Sequence, residues 1–194
     1  MGVIKTALEI ALEKTEKVKG DKSSIDQFEA KQRGKKLANS FLAGEANLAD
    51  EIKNAAAGQR ESLKQGIFDV LISQIALPAG KEDEKRIDAV GKGLGIVIND
   101  SRFASMYKQL TQVFSQYLQE AAHYDQAIRQ QYAPKLRQKE EELSRRLGRD
   151  VRIDPFQDPE FVAFYNQHMT ALKGNYEALV DQAKEEARLL FERE

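Results

Sequence analysis

Apolar residues recur along residues 103–128 at alternating steps of four and three: Phe103, Tyr107, Leu110, Phe114, Tyr117, Ala121, Tyr124 and Ile128. That spacing puts them on one face of an α-helix. A second stripe follows a turn rich in Pro and Asp: Tyr165, Met169, Leu172, Tyr176, Leu179 and Ala183, with Leu190 one heptad further on. Two such stripes joined by a short break predict a long antiparallel helical hairpin, coiled-coil-like in its heptad spacing.

The long helix opens at a cap supplied by Asn99, Asp100 or Ser101 and runs past Pro134 to Leu147, where Leu136, Leu143 and Leu147 resume the stripe. Pro134 removes a backbone donor and crowds the carbonyl four residues earlier, so the arm is expected to kink there. Gly148 closes the helix and residues 149–158 form the turn. Asp158-Pro159 starts the last helix as N-cap and first helical residue. A turn centred near Ile153 sets residue 134 opposite residue 172, which brings Pro134 near Gly174. On that register the last helix is too short to cover 103–115, which must then pack on the N-terminal helices.

The first hundred residues read as a bundle. A helix is predicted from Val3 to Lys19 on Ile4, Leu8, Leu12 and Val18, closed by Gly20. Ser23 or Ser24 caps a second helix over 24–43 with Ile25, Phe28, Leu37, Phe41 and Leu42 on one face. Its middle, Lys31 to Lys36, is polar all round, and Gly34 weakens it by roughly 1 kcal/mol relative to Ala, so a bend or a mobile stretch is expected. A short helix with Leu48 and Ile52 stops near Gly58. Residues 59–77 are the most apolar segment and should be the buried centre. Pro78 and Gly80 end it, and a further helix carries Ile87, Val90, Leu94 and Val97. Ile96-Val97-Ile98 has β-branched character, but no partner strand is evident, so it too reads as helix. The expected organisation is all-α: residues 1–100 as an N-terminal helical bundle, and residues 101–194 as a long bent antiparallel hairpin packed on it.

Composition narrows the function classes. Charged residues make up 31% of the 194, and the formal net charge is -1. Residues 1–100 hold 16 basic and 16 acidic side chains, leaving 14 and 15 of the totals of 30 and 31 for the rest. An even balance disfavours wholesale electrostatic capture of nucleic acid or an anionic membrane. No cysteine is present, which excludes disulfides, thiolate catalysis and Cys-bound metals. The N-terminus lacks the apolar core of a signal peptide, no run approaches the length of a membrane span, and a cytoplasmic location is expected. Met1-Gly2-Val3-Ile4-Lys5-Thr6 fits a myristoylation pattern that is short and common by chance.

Candidate chemistry is thin. Glu120 and His123 have the Glu-x-x-His spacing of di-iron bundles, yet the only other histidine, His168, follows Tyr165 rather than a Glu. The Gly91-to-Gly95 cluster lacks a preceding strand and the spacing of a phosphate loop, and reads as close helix packing. Basic residues gather at Lys31, Arg33, Lys35 and Lys36, and again at Arg145, Arg146, Arg149 and Arg152. Glu140, Glu141 and Glu142 can pair with the second group at helical spacing. That group lies beside Val151, Ile153 and Phe156, apolar residues that either cap the hairpin or meet a partner.

The residues support a non-enzymatic scaffold or assembly protein of a bacterial-type cytoplasm, acting through protein–protein contacts. The expected surface is the turn between the hairpin arms: Arg145, Arg146, Arg149, Val151, Arg152, Ile153 and Phe156. The partner is another protein or a second copy of the chain, the latter through Tyr117, Tyr124 and Tyr176. No catalytic residues, cofactor or metal are expected. The alternatives are an anion or nucleic-acid binder using the two basic clusters, and a metal-dependent helical enzyme built on Glu120 and His123.

Overall fold

A computed structural model describes the backbone of residues 7–193 and the side chains of residues 23–193. The myristoylation pattern and the side chains of Ile4, Leu8, Leu12 and Val18 lie outside the described residues. The described residues form six α-helices and no strand: α1 Ala7–Leu42, α2 Leu48–Asn54, α3 Arg60–Ser73, α4 Glu84–Ile98, α5 Ser101–Leu147 and α6 Pro159–Phe191. None is long and apolar enough to cross a membrane. The chain divides into two compact units. One holds the residues up to Ile75, Lys85–Phe103 and those from Leu190 on; the other holds Ala76–Glu84 and Ala104–Leu189.

In the first unit, α1 runs unbroken through Gly20, where the sequence suggested an end. A glycine in a helix interior costs ~1 kcal/mol but ends the helix only where the backbone turns left-handed. That turn comes at Gly44, with φ of 80°. The buried face of α1 also differs from expectation. Ile25 and Phe28 are exposed, while Ala30, Gly34 and Ala38, spaced four apart, are buried. The reason is a close crossing with α3. A Cβ on Gly34 would lie 2.2 Å from the Leu63 carbonyl oxygen, and one on Gly66 would lie 2.1 Å from that of Lys31. The Lys31–Lys36 stretch is therefore a backbone-to-backbone contact, not a bend.

α3 is the buried centre that its apolar content predicts, with Leu63, Ile67, Phe68, Leu71 and Ile72 inside. Phe68 stacks flat on Phe191, with centroids 4.2 Å apart. Residues 96–98 are the end of α4, and Val97 and Ile98 are buried there. In the glycine cluster, a Cβ on Gly93 would meet Leu71 at 2.7 Å and Phe41 at 2.8 Å, so close packing explains that glycine. Asn47 caps α2 by accepting from the Ala49 N–H at 3.0 Å. Asn99 takes a positive φ of 50°, and the Asp100 carboxylate accepts from the Arg102 N–H at 2.8 Å to start α5.

In the second unit α5 and α6 pack antiparallel. Tyr117 meets Tyr176 at 5.3 Å and Tyr132 meets Phe161 at 5.2 Å, so partner numbers fall on one side as they rise on the other. Both pairs centre the hairpin between residues 146 and 147, not at Ile153. Pro134 is thus level with residue 159 rather than 172, and Gly174 is not its counterpart. On this register Leu189 is level with Ala104, so α6 does span the 103–115 segment that was expected to lie beyond its reach. The turn is asymmetric because α5 continues to Leu147 and residues 148–158 fold back along it. Pro134 sits inside α5 on the exposed side, where water can reach the carbonyl that it leaves unpaired.

The stripes are partly right. Phe103, Tyr107, Leu110, Phe114 and Ile128 are buried, but Tyr124 is exposed; Leu172, Tyr176 and Leu190 are buried, but Leu179 is exposed and Val180 is buried in its place. Along α6 the inward positions are 161, 165, 169, 172, 176, 180, 183, 187 and 190. Eight steps over 29 residues give ~3.6 residues per step, the period of a straight helix. A strict heptad drifts ~20° per repeat from that line, which is enough to misplace Tyr124 and Leu179.

Candidate functional site

The loop between α5 and α6 is the part of the second unit where charged and apolar side chains meet at a defined surface. Short polar contacts hold it on α5. The Val151 N–H donates to Ser144 Oγ at 2.9 Å, and the Ile153 N–H donates to Glu140 Oε1 at 2.9 Å. Asp154 accepts from the Phe156 N–H at 3.0 Å and starts a 3-10 turn over Pro155–Gln157.

Behind the loop lies a clasp that sequence reasoning missed. Asp158 is buried. It accepts from Lys139 Nζ at 2.7 and 2.8 Å, from the Tyr132 hydroxyl at 2.9 Å and from the Glu160 N–H at 3.1 Å. The last contact makes Asp158 the expected N-cap of α6, with Pro159 as its first residue. Glu160 joins through Lys139 at 2.9 Å and Lys135 at 2.7 Å. Burial pushes the Asp158 carboxyl up, but the Lys139 ammonium and the Tyr132 hydroxyl outweigh it, so the group sits below the usual carboxylate range. Lys135 and then Lys139 pull Glu160 down to about 2. Burial, followed by the Asp158 carboxylate, raises the Tyr132 hydroxyl, and Asp158 and Glu160 raise the Lys139 ammonium. Both Asp158 carboxylate oxygens and the Tyr132 hydroxyl are engaged, and Lys139 stays charged. The arrangement fastens the loop and is poor in free base or nucleophile. The readable signal was Tyr132, four residues past Ile128 on the true stripe, followed seven residues later by a lysine.

The apolar residues of the loop largely cap the hairpin. Phe156 meets Phe161 and Tyr165 edge-on at 5.3 and 5.2 Å, with the Arg129 guanidinium 5.0 Å above its ring. It remains 47% exposed, so its outer face is open. Val151 and Ile153 are half-buried.

The arginines point outward. Arg146 pairs with Glu142 at 2.9 Å, as helical spacing suggested. Arg145 and Arg152 lie 3.6 Å from Glu141 and Glu140, beyond hydrogen-bond length, and both side chains are 81% exposed. Arg149 is exposed and has no carboxylate partner among the described residues. An open cleft of about 460 Å³ runs along this face, lined by Arg137, Glu141, Ser144, Arg145, Asp150 and Arg152 among others.

The other candidates are engaged elsewhere. Lys31 pairs with Asp69 at 2.8 Å and Arg33 with Glu51 at 2.5 Å. Although burial raises the Asp69 carboxyl, Lys31 and Gln65 bring it below the ordinary value, and Lys35 adds to the same pull. Two of the four residues of that basic cluster therefore serve ion pairs within the first unit. Glu120 accepts from Gln116 at 3.1 Å and faces the Tyr176 hydroxyl. His123 is exposed, and His168 lies edge-on to Phe164. No group of three potential metal ligands occurs among the described residues. Tyr176 is buried and Tyr117 half-buried where they face each other between the arms, while Tyr124 is exposed.

The chain belongs to a family of unknown function, DUF6657, whose model matches residues 49–189. That span covers α2 to nearly the end of α6, including the clasp and the cleft. No curated protein and no solved structure matches the chain.

Proposed function

We propose that the protein is a non-enzymatic scaffold or assembly protein of a bacterial-type cytoplasm that docks a partner protein through the hairpin tip, residues 143–158. The observation that carries this reading is the combination of a fastened loop with outward arginines. Ser144, Glu140 and Asp154 tie down the loop backbone, and the clasp at Asp158 anchors its end. Arg145, Arg149 and Arg152 project from that frame with weak partners or none. A surface ordered before binding loses less entropy on docking. Arginine and aromatic side chains are the types enriched at binding hot spots.

Affinity capture from the native cell tests the reading, with the full chain as bait. Changing Arg145, Arg149 and Arg152 together to Ser should abolish capture of the main co-purifying protein and leave the melting temperature within a few degrees. Capture that survives this change would place the docking surface elsewhere. Phe156 is kept unchanged in this variant. Its contacts with Phe161 and Tyr165 make it a stability residue as well, so the arginines are the cleaner test.

A second reading is homotypic association through the exposed Tyr124 and Leu179, at 41% and 45%. The nucleic-acid alternative draws little support, since Lys31 and Arg33 of its first cluster are in ion pairs.

A further inference from the structure

We infer that the cleft at the hairpin tip receives an acidic segment of the partner protein, a short stretch of Asp or Glu side chains spaced by uncharged residues. The inference rests on the docking reading above and names the chemistry of the partner.

Charge is the first argument. Residues 137–152 carry six cations (Arg137, Lys139, Arg145, Arg146, Arg149 and Arg152) and four anions (Glu140, Glu141, Glu142 and Asp150), a formal net of +2 on a chain whose total is -1. The surplus is also the accessible part. Glu140 is 13% exposed and accepts the Ile153 N–H, and Lys139 is held by Asp158. Arg137 and Arg149 have no carboxylate partner among the described residues. Arg145 and Arg152 stand 3.6 Å from theirs, a distance that leaves the planar fork of the guanidinium free to turn to a closer carboxylate.

Shape is the second. Arg137, Glu141 and Arg145 follow one another at helical spacing on α5, so they share one wall of the cleft, and Asp150 and Arg152 of the returning loop form the other. Two walls that each carry guanidinium groups can grip a carboxylate inserted between them.

The mixture favours acidic protein over nucleic acid. Tight phosphate-backbone binding takes several evenly spaced cations along a track. Here Glu140, Glu141 and Asp150 stand among the three arginines of the cleft and would repel a continuous row of phosphates. Separately placed carboxylates with uncharged residues between them can avoid those three acids and meet the arginines.

Fluorescence anisotropy with the full chain tests the inference. The probes are a short labelled peptide of alternating Glu and Leu, the same peptide with Gln for every Glu, and a single-stranded DNA of similar length. The Glu peptide should bind about tenfold or more tightly than the Gln peptide, and its affinity should fall as salt rises. Reversing Arg137, Arg145 and Arg152 to Glu should remove that preference. Reversing Lys36, Lys53 and Lys108 to Glu makes the same change in net charge and should leave it intact, and circular dichroism of both variants checks folding. Equal binding of the Glu and Gln peptides, indifference to the arginine reversal, tighter binding of DNA, or no binding of the Glu peptide would each overturn the inference. If the inference fails while the Arg145, Arg149 and Arg152 serine variant still loses its captured protein, the docking reading stands and only the acidic chemistry falls.

Discussion

Gly66→Ala puts a methyl carbon 2.1 Å from the Lys31 carbonyl oxygen and 3.1 Å from the Lys35 amide nitrogen. Carbon and a carbonyl oxygen rest at about 3.3 Å or more, so α1 and α3 must separate by roughly 1 Å. The obstacle is backbone on both sides, so no side chain can swing away. A gap of that size forfeits about a quarter to a half of the dispersion attraction along the seam, where Ala30, Ala38, Leu63 and Ile67 are buried. Overpacking usually costs about 1–3 kcal/mol, and this case belongs at or above the upper end. The better helix propensity of Ala returns ~1 kcal/mol. The net expected loss is ~2 kcal/mol or more. Gly58 is the control, since nothing lies within 4 Å of a Cβ there, and Gly58→Ala should be neutral or stabilising by up to ~1 kcal/mol. Urea melts followed by circular dichroism read both: at about 1–3 kcal/mol per molar, the Gly66→Ala midpoint should drop by ~1 M. The double variant Gly34→Ala, Gly66→Ala should lose less than the sum of the singles, because one separation relieves both clashes. A Gly66→Ala melt that matches the wild type within ~0.5 kcal/mol would refute the crossing.

Leu71, fully buried in α3, should cost about 2–5 kcal/mol when changed to Ala, whereas Arg146→Ala should cost under ~0.5 kcal/mol; equal losses in denaturant melts would show that the core lies elsewhere. The Asp158 and Glu160 carboxyls are held below their ordinary values. A depressed carboxyl contributes stability that is present above the unfolded value of about 4 and is lost as pH falls through the folded value. Thermal melts should therefore show Asp158→Asn well below the wild type at neutral pH, with the difference shrinking towards pH 2; a constant difference would deny the clasp its charge. Static light scattering at high micromolar concentration should report self-association that Tyr124→Ser weakens, and a clean monomer would remove the homotypic reading.

The sequence carried the helical class, the central place of α3, the cap at Asp158, a cap for α5 among Asn99, Asp100 and Ser101, and the inward position of most of the α5 and α6 stripes. It misled wherever a local rule was asked to decide a tertiary matter. Gly20 resembles a helix end, but nothing local says whether the backbone turns there. Gly34 looks like a weak point in a polar stretch, because its partner, Gly66, lies far along the chain. The heptad template misplaced Tyr124 and Leu179, since its drift from the true helical period accumulates over several turns. The hairpin register was set by counting to the middle of the loop. The chain instead extends α5 and folds the loop back, and the contacts that do so, Ser144 to Val151 and Glu140 to Ile153, have no sequence signature. The tip arginines were visible as a cluster. Which of them already had a partner was not, because that depends on where the loop returns.

Site-specific photo-cross-linking in the native cell tests the central claim most directly. A photoreactive residue replaces Arg149 at the tip in one strain and the exposed Thr170 of α6 in another, each in the full chain. The account predicts a discrete adduct with a different protein from position 149, absent at 170 and lost when Arg145 and Arg152 are also changed to Ser. Adducts that are absent at 149, confined to the chain itself, or equal at the two positions would contradict the assignment of the hairpin tip as the docking surface.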